Sequence, residues 1–469
     1  MMTRDVKPTL RGSTQLPVPG AKGKALVARD AAVLSGAMGR VYPFAMERGQ
    51  GSEVWDVDGN RYLDMAAGIA VVSTGHSHPK VIEAMHNQVN KFVHMAGTDF
   101  VNEQMVNVAE KLAATMPQSE PWQVFLTNSG TESIEAAMKL ARAATGRQGI
   151  ISFLGAFHGR SYGAMSITAS KAAQRRGHFP LVPGMFHAFY ANPYRTPFGI
   201  EKERVTQATL DYIEKTMFTT IAPPQDIAAI ILEPIQGESG YVVPTPGFLC
   251  GLRQLCDRHG ILLIYDEVQS GVGRTGKMWA HQHESGATGG ADSICAHCKK
   301  TKSQGCTPDI VVTAKGLGAG MPIGGIIAKK SLMERWPEGS HGSTYAGNAL
   351  ACAAANVVLD LVKEELCTNA ADVGAHLKAG LESLAKRYDV IGDVRGRGLM
   401  LGVDFVLNKE TKEPAKQLAG EIMEEGFRRG MLILTCGYST IRFCPPLVLT
   451  KPEADEALER FEATIQACI

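Results

Sequence analysis

Lys315 is the one charged side chain in VVTAKGLGAGMPIGG, residues 311–325. Burial strips an ammonium of water, lowers its pKa and frees the amine to act as a nucleophile. The competing reading is a lysine that snorkels to the surface from a buried strand. Asp266 ends a second apolar run, GILLIYD (260–266). A carboxylate there needs a cation or a protonated ring as partner, or it serves as a cap on the next turn. Ser129-Gly130-Thr131 follows a third run, WQVFLTN (122–128), and opens a helical pattern. Free N–H groups at a helix N-terminus, with two hydroxyls, make an anion cradle whose usual guest is phosphate. The alternative is a plain N-cap with Glu132 in the first turn.

The elements that must carry these residues are legible. WQVFLTN, GIISF (149–153), IAAIILEPI (227–235), GILLIYDEV (260–268) and PDIVVTAKG (308–316) are short runs rich in Ile, Val and Leu, the pattern of strands buried on both faces. ESIEAAMKLARAATG (132–146) and FLCGLRQLCDRHG (248–260) read as helices closed by glycine. Strands alternating with helices give an α/β fold around a mostly parallel sheet. The chain ends differ. VWDVDGNRYLDM carries a hairpin turn at Asp58-Gly59, and a helix (371–388) is followed by short strands in MLILTC and STIRFCPPL. We read these as a smaller α+β domain. Residues 1–95 supply an arm and its first part, 96–360 the large domain, and 361–469 its second part.

Ligands of open α/β sheets sit at the carboxyl ends of the strands. Lys315, Asp266 and the 129–131 turn all fall there. So do GAFHGRS (155–161) and QGESGY (236–241). An amine for a Schiff base, an acid for a pyridinium nitrogen and a site for a phosphate are what pyridoxal phosphate requires.

Composition excludes several other classes. Across 469 residues there are 48 basic and 47 acidic side chains, a net charge of +1, which argues against nucleic acid or an anionic membrane as partner. No apolar run reaches the length of a membrane span, and the first residues lack the apolar core of a secretory signal. Most of the ten cysteines sit singly in elements, as Cys250, Cys256, Cys352 and Cys444 do, which fits a cytoplasmic protein with reduced thiols. A cluster stands apart: Cys295-x2-Cys298 and Cys306, with histidines nearby, in a Gly/Ser/Thr-rich stretch (281–306). It is open to a structural zinc, a disulfide or free thiols.

The motifs TNSGTESIEAAMKLAR (127–142), GAFHGRS, ILEPIQGESG (231–240), YDEVQSGVGRTG (265–276), AKGLGAGMPIGG (314–325) and GSTYAGNALA (342–351) resemble those of class III pyridoxal-phosphate aminotransferases, the group of 4-aminobutyrate, ornithine and acetylornithine aminotransferases. The resemblance runs from about Tyr42 onward. It implies a fold-type I transferase with a seven-stranded-type central sheet. It makes Lys315 the Schiff-base lysine and proton shuttle, and Asp266 the partner of the pyridine nitrogen. Ser129, Gly130 and Thr131 would bind phosphate, Phe157 and Val268 would flank the ring, Gln269 would reach its hydroxyl, and His158 belongs to the same cofactor set. Thr344 would bind phosphate from a neighbouring subunit, so a homodimer or dimer of dimers is implied. Ile69, Arg160, Glu238 and Arg442 would form the substrate pocket, Glu238 pairing with Arg442 while an ω-amino substrate is bound. The implied activity is transfer of an amino group from an ω-amino acid (4-aminobutyrate, or ornithine or lysine) to 2-oxoglutarate by a ping-pong route, with a racemase on the same scaffold as the alternative. Two positions depart from the family pattern. Ser239 stands where a glycine is usual, and Ser73 where asparagine is common and pocket polarity would change.

Overall fold

The structure is a computed structural model and describes residues 15–284 and 305–469. A first meander comprises β1 (Met46–Gln50), β2 (Glu53–Asp56) and β3 (Arg61–Asp64). Asp56 ties the turn between β2 and β3: its Oδ1 accepts the N–H groups of Asp58 (3.0 Å) and Asn60 (2.8 Å), and Gly59 takes φ +89°.

The central sheet contains β4 (Trp122–Thr127), β5 (Gly149–Phe153), β6 (Met185–Ala188), β7 (Ile227–Leu232), β8 (Leu262–Asp266), β9 (Ile310–Thr313) and β10 (Gly324–Lys329), in the order β4-β10-β9-β8-β7-β5-β6. The pairs from β9 through to β6 are parallel, and β10 runs antiparallel to both β4 and β9. Alternate side chains serve opposite helical layers. Leu263 and Tyr265 of β8 pack with the helix Phe248–His259, whereas Ile264 packs with the helix Gly130–Thr145. Burial on both faces is why these strands read as continuous apolar runs.

The remaining strands are β11 (Ile391–Arg397), β12 (Met400–Asn408), β13 (Glu413–Pro414), β14 (Met431–Leu432), β15 (Leu434–Cys436) and β16 (Thr440–Phe443). β11, β12, β16 and β15 form an antiparallel sheet, while β14 crosses to pair in parallel with β3 at Met431↔Leu63. Strands from the two chain ends therefore share a sheet.

Several expectations shift. β6, β10, β11 and β12 fall outside the apolar runs picked out above; in β10 the glycines of MPIGG hide a strand start. The run 227–235 is strand only to Leu232, and Glu233 already stands beyond it. No helix is long and apolar enough to cross a membrane among the described residues. Cys295 and Cys298 lie outside the described residues. Cys306 is buried in an apolar core, its thiol 3.5 Å from the His281 carbonyl. Among the described residues no group of three or more His, Cys, Asp or Glu side chains could hold a metal.

Candidate functional site

Five parallel strand ends of one sheet deliver their next residues to a cavity of about 420 Å3. Lys315 follows β9 and takes φ +42°, a left-handed conformation unusual for a residue with a side chain. Its amine makes no hydrogen bond or ion pair with the described residues, and it faces the cavity. Burial pushes its pKa down, against the opposing fields of Asp266 and Glu233. The backbone beyond it is held by Ser73, whose hydroxyl donates to the Gly316 carbonyl at 2.6 Å. Ser73 is thus a backbone tie, 1 % exposed, and not the pocket-polarity position expected.

Asp266 ends β8 with both oxygens engaged. Oδ2 lies 2.7 Å from Nδ1 of His158, and Oδ1 accepts the Val268 N–H at 3.0 Å. A carboxylate partner assigns the proton to Nδ1. His158, expected among the cofactor contacts, lines the cavity and sets its ring against Asp266, and its buried Nε2 has no partner among the described residues. Glu233, missed in the sequence because the strand was read too long, accepts the N–H groups of Phe157 (2.9 Å) and Gly237 (2.8 Å). Burial pushes its carboxyl up to about 7.

Beyond β4, Ser129 caps the helix Gly130–Thr145, its hydroxyl 3.4 Å from the Glu132 N–H. The cap and the cradle coexist, because the N–H groups of Gly130 and Thr131 have no partner available within the helix. A Cβ on Gly130 would stand 2.9 Å from Val268 Cγ1, so the turn and the cavity wall meet only through glycine. Thr131 shares its hydroxyl with Ser161 Oγ at 2.7 Å. Phe157, Val268 and Gln269 line the cavity, and the buried Oε1 of Gln269 lacks a partner among the described residues. Asn128, Val71 and the 320–323 segment also line it.

The substrate candidates are arranged less simply. Arg442 of β16 is buried beside Glu238, Nη1 to Oε1 2.7 Å, and its Nε has no partner among the described residues. Burial pushes the Glu238 carboxyl up, but Arg442 and Lys171 together outweigh it and hold the group below its usual range. Arg160 is exposed at the cavity rim, 5.9 Å from the Phe157 ring centre. Ile69 does not line the cavity. It is 39 % exposed on a left-handed turn, Ala67 to Ala70, where four successive φ values are positive. Asp64 holds that turn by accepting the N–H groups of Ala66 and Ala67. Thr344 is exposed and lies outside the cavity of its own chain. Ser239 fills room left by Gly155: a Cβ there would collide with its hydroxyl.

An unpaired amine, a buried carboxylate, a glycine-gated helix N-terminus, an aromatic face and an orphan amide fit pyridoxal phosphate part for part. Fold and site together define a pyridoxal-phosphate-dependent enzyme. The profile of the family "Aminotransferase class-III" matches residues 35–465, and the chain belongs to that family. It is 39% identical over 433 residues to the 5-aminovalerate aminotransferase DavT of Pseudomonas aeruginosa, covering 92% of this chain and 95% of that protein. It is 37% identical over 456 residues to the alanine/serine racemase of Pyrococcus horikoshii, covering 96% and 91%. Among solved structures, a PLP-bound amine transaminase from an uncultivated Pseudomonas species matches with a TM-score of 0.81 at 32% identity, over 91% of this chain and 95% of that one.

Proposed function

We propose that the protein is an ω-amino-acid:2-oxoglutarate aminotransferase working by two alternating half-reactions. The pairing of Arg442 with Glu238, with the guanidinium's Nε left free, carries this reading. A buried guanidinium with spare donors suits the α-carboxylate of a dicarboxylate acceptor in fork geometry. With an ω-amino donor, no carboxylate arrives there, and Glu238 keeps Arg442 neutralised. Arg160 at the rim would receive the donor's far carboxylate.

Bound pyridoxal phosphate supplies the electron sink that accepts charge as a proton leaves the substrate carbon. Lys315 would hold the cofactor through its ε-amine and would carry that proton to and from the substrate carbon. Its burial-lowered basicity suits both tasks. Asp266 would face the ring nitrogen, the 129–131 turn would hold the phosphate, and Phe157 and Val268 would pack the ring faces. Thr344 would complete a second subunit's phosphate site in a homodimer or dimer of dimers.

The test is a single-turnover spectrum of the reconstituted enzyme, with 4-aminobutyrate, ornithine, lysine or alanine added singly. Loss of the cofactor's visible band with an ω-amine, and its return on adding 2-oxoglutarate, supports the reading. Failure of 2-oxoglutarate to restore the band overturns it. A second reading, an amino-acid racemase, is favoured by the likeness to the alanine/serine racemase. It predicts that an α-amino acid loses its stereochemistry with no keto acid present.

A further inference from the structure

Glu238 is held by two cations, one on each oxygen. Arg442 Nη1 lies 2.7 Å from Oε1, and Lys171 Nζ lies 3.3 Å from Oε2. The two cations are unlike. Arg442 sits on β16 with its side chain 6 % exposed. Lys171 lies beyond the helix Tyr162–Ile167, with its side chain 44 % exposed.

To take an acceptor carboxylate, Arg442 must release Glu238. The side chain of Glu238 is only 15 % exposed, and a carboxylate at such a depth that loses its cation is strongly disfavoured. Its backbone cannot carry it away. The Glu238 carbonyl accepts the Gly437 N–H at 2.7 Å, and the Gly240 carbonyl accepts Arg395 Nε at 2.6 Å. The side chain must therefore move alone, to a partner within its own reach. Lys171 already touches the other oxygen. Its ammonium rotates on a flexible stem and can follow the carboxylate, which a buried planar guanidinium cannot.

We propose that Lys171 is the second anchor of Glu238 and a specificity-determining residue. It receives the carboxylate when Arg442 engages a dicarboxylate, and so sets how one pocket divides between acceptor and ω-amino donor. This rests on the aminotransferase reading above.

The experiment compares both half-reactions in the holoenzyme for wild type, Lys171→Met and Lys171→Arg. Removing the ammonium leaves Glu238 with Arg442 as its sole cation. The ratio of kcat/KM for 2-oxoglutarate to kcat/KM for the ω-amine should then fall about three- to five-fold, through KM for the acceptor. Lys171→Arg should restore the ratio to within about two-fold, since it returns the charge. Equal loss in both half-reactions, which a merely structural lysine would give, or no change in the ratio, overturns the proposal. A wild-type enzyme that 2-oxoglutarate cannot turn over overturns the aminotransferase reading and this inference with it. Wild-type turnover with an unshifted Lys171→Met ratio overturns this inference alone.

Discussion

Nδ1 of His158 lies 2.7 Å from Oδ2 of Asp266, and both buried side chains belong to residues that line the cavity. The acid that would face the cofactor thus depends on a ring from a different strand end. Replacing His158 by Ala strips one oxygen of its donor and leaves a void. We expect turnover to drop about 10- to 100-fold, with His158→Asn recovering part of it through its amide N–H. Asp266→Asn should be worse, on the order of 10²–10⁴. Steady-state rates and cofactor titration by fluorescence measure both.

Lys315 presents an unpaired amine to the cavity. Lys315→Ala should abolish both half-reactions. After borohydride treatment, intact-protein mass spectrometry should find the cofactor's mass on the wild type and none on the variant. Retention of that mass by the variant would move the attachment elsewhere.

Gly159 holds φ +139°, and a Cβ there would collide with the Thr131 hydroxyl. Gly159→Ala therefore adds backbone strain and pushes on the 129–131 turn proposed to hold phosphate. We expect a loss of about 1–3 kcal/mol in stability and weaker cofactor binding. Thermal melts with and without pyridoxal phosphate separate the two effects.

Arg442→Met should remove the fork for an α-carboxylate while Lys171 still holds Glu238. Activity toward 2-oxoglutarate should fall by about 10²-fold or more, and amines lacking an α-carboxylate should be affected less. Acceptor and donor half-reactions measured separately give the comparison.

Glu284 is buried, accepts the Leu249 N–H at 3.3 Å, and burial pushes it up to about 7. The folded state therefore holds the proton more tightly than the unfolded chain. Stability from this group is present at acid pH and is lost as pH rises from the ordinary glutamate value through 7. Glu284→Gln should leave stability nearly unchanged near pH 4 and raise it by about 1–3 kcal/mol at pH 8. Denaturant melts at the two pH values test the sign.

The strands that carry the site were legible because burial on both faces writes itself as an unbroken apolar run, and each run ends at a residue able to do chemistry: Ser129, Asp266, Lys315. β10 was not, because Gly324 and Gly325 give no apolar signal and are required by close backbone packing. Sequence by itself determined the α/β class and put Lys315, Asp266 and the 129–131 turn forward as candidates, since these are local consequences of strand pattern and motif. Tertiary structure alone decided what those residues touch. It placed His158 against Asp266, made Glu233 a clamp on Phe157 and Gly237, turned Ser73 into a tie on the backbone after Lys315, and set Lys171 against Glu238. Each partner lies 67 or more residues from its mate in the chain, apart from Glu233 and Gly237, so no local period or spacing encodes the contact. Packing five strand ends at one edge of the sheet creates it.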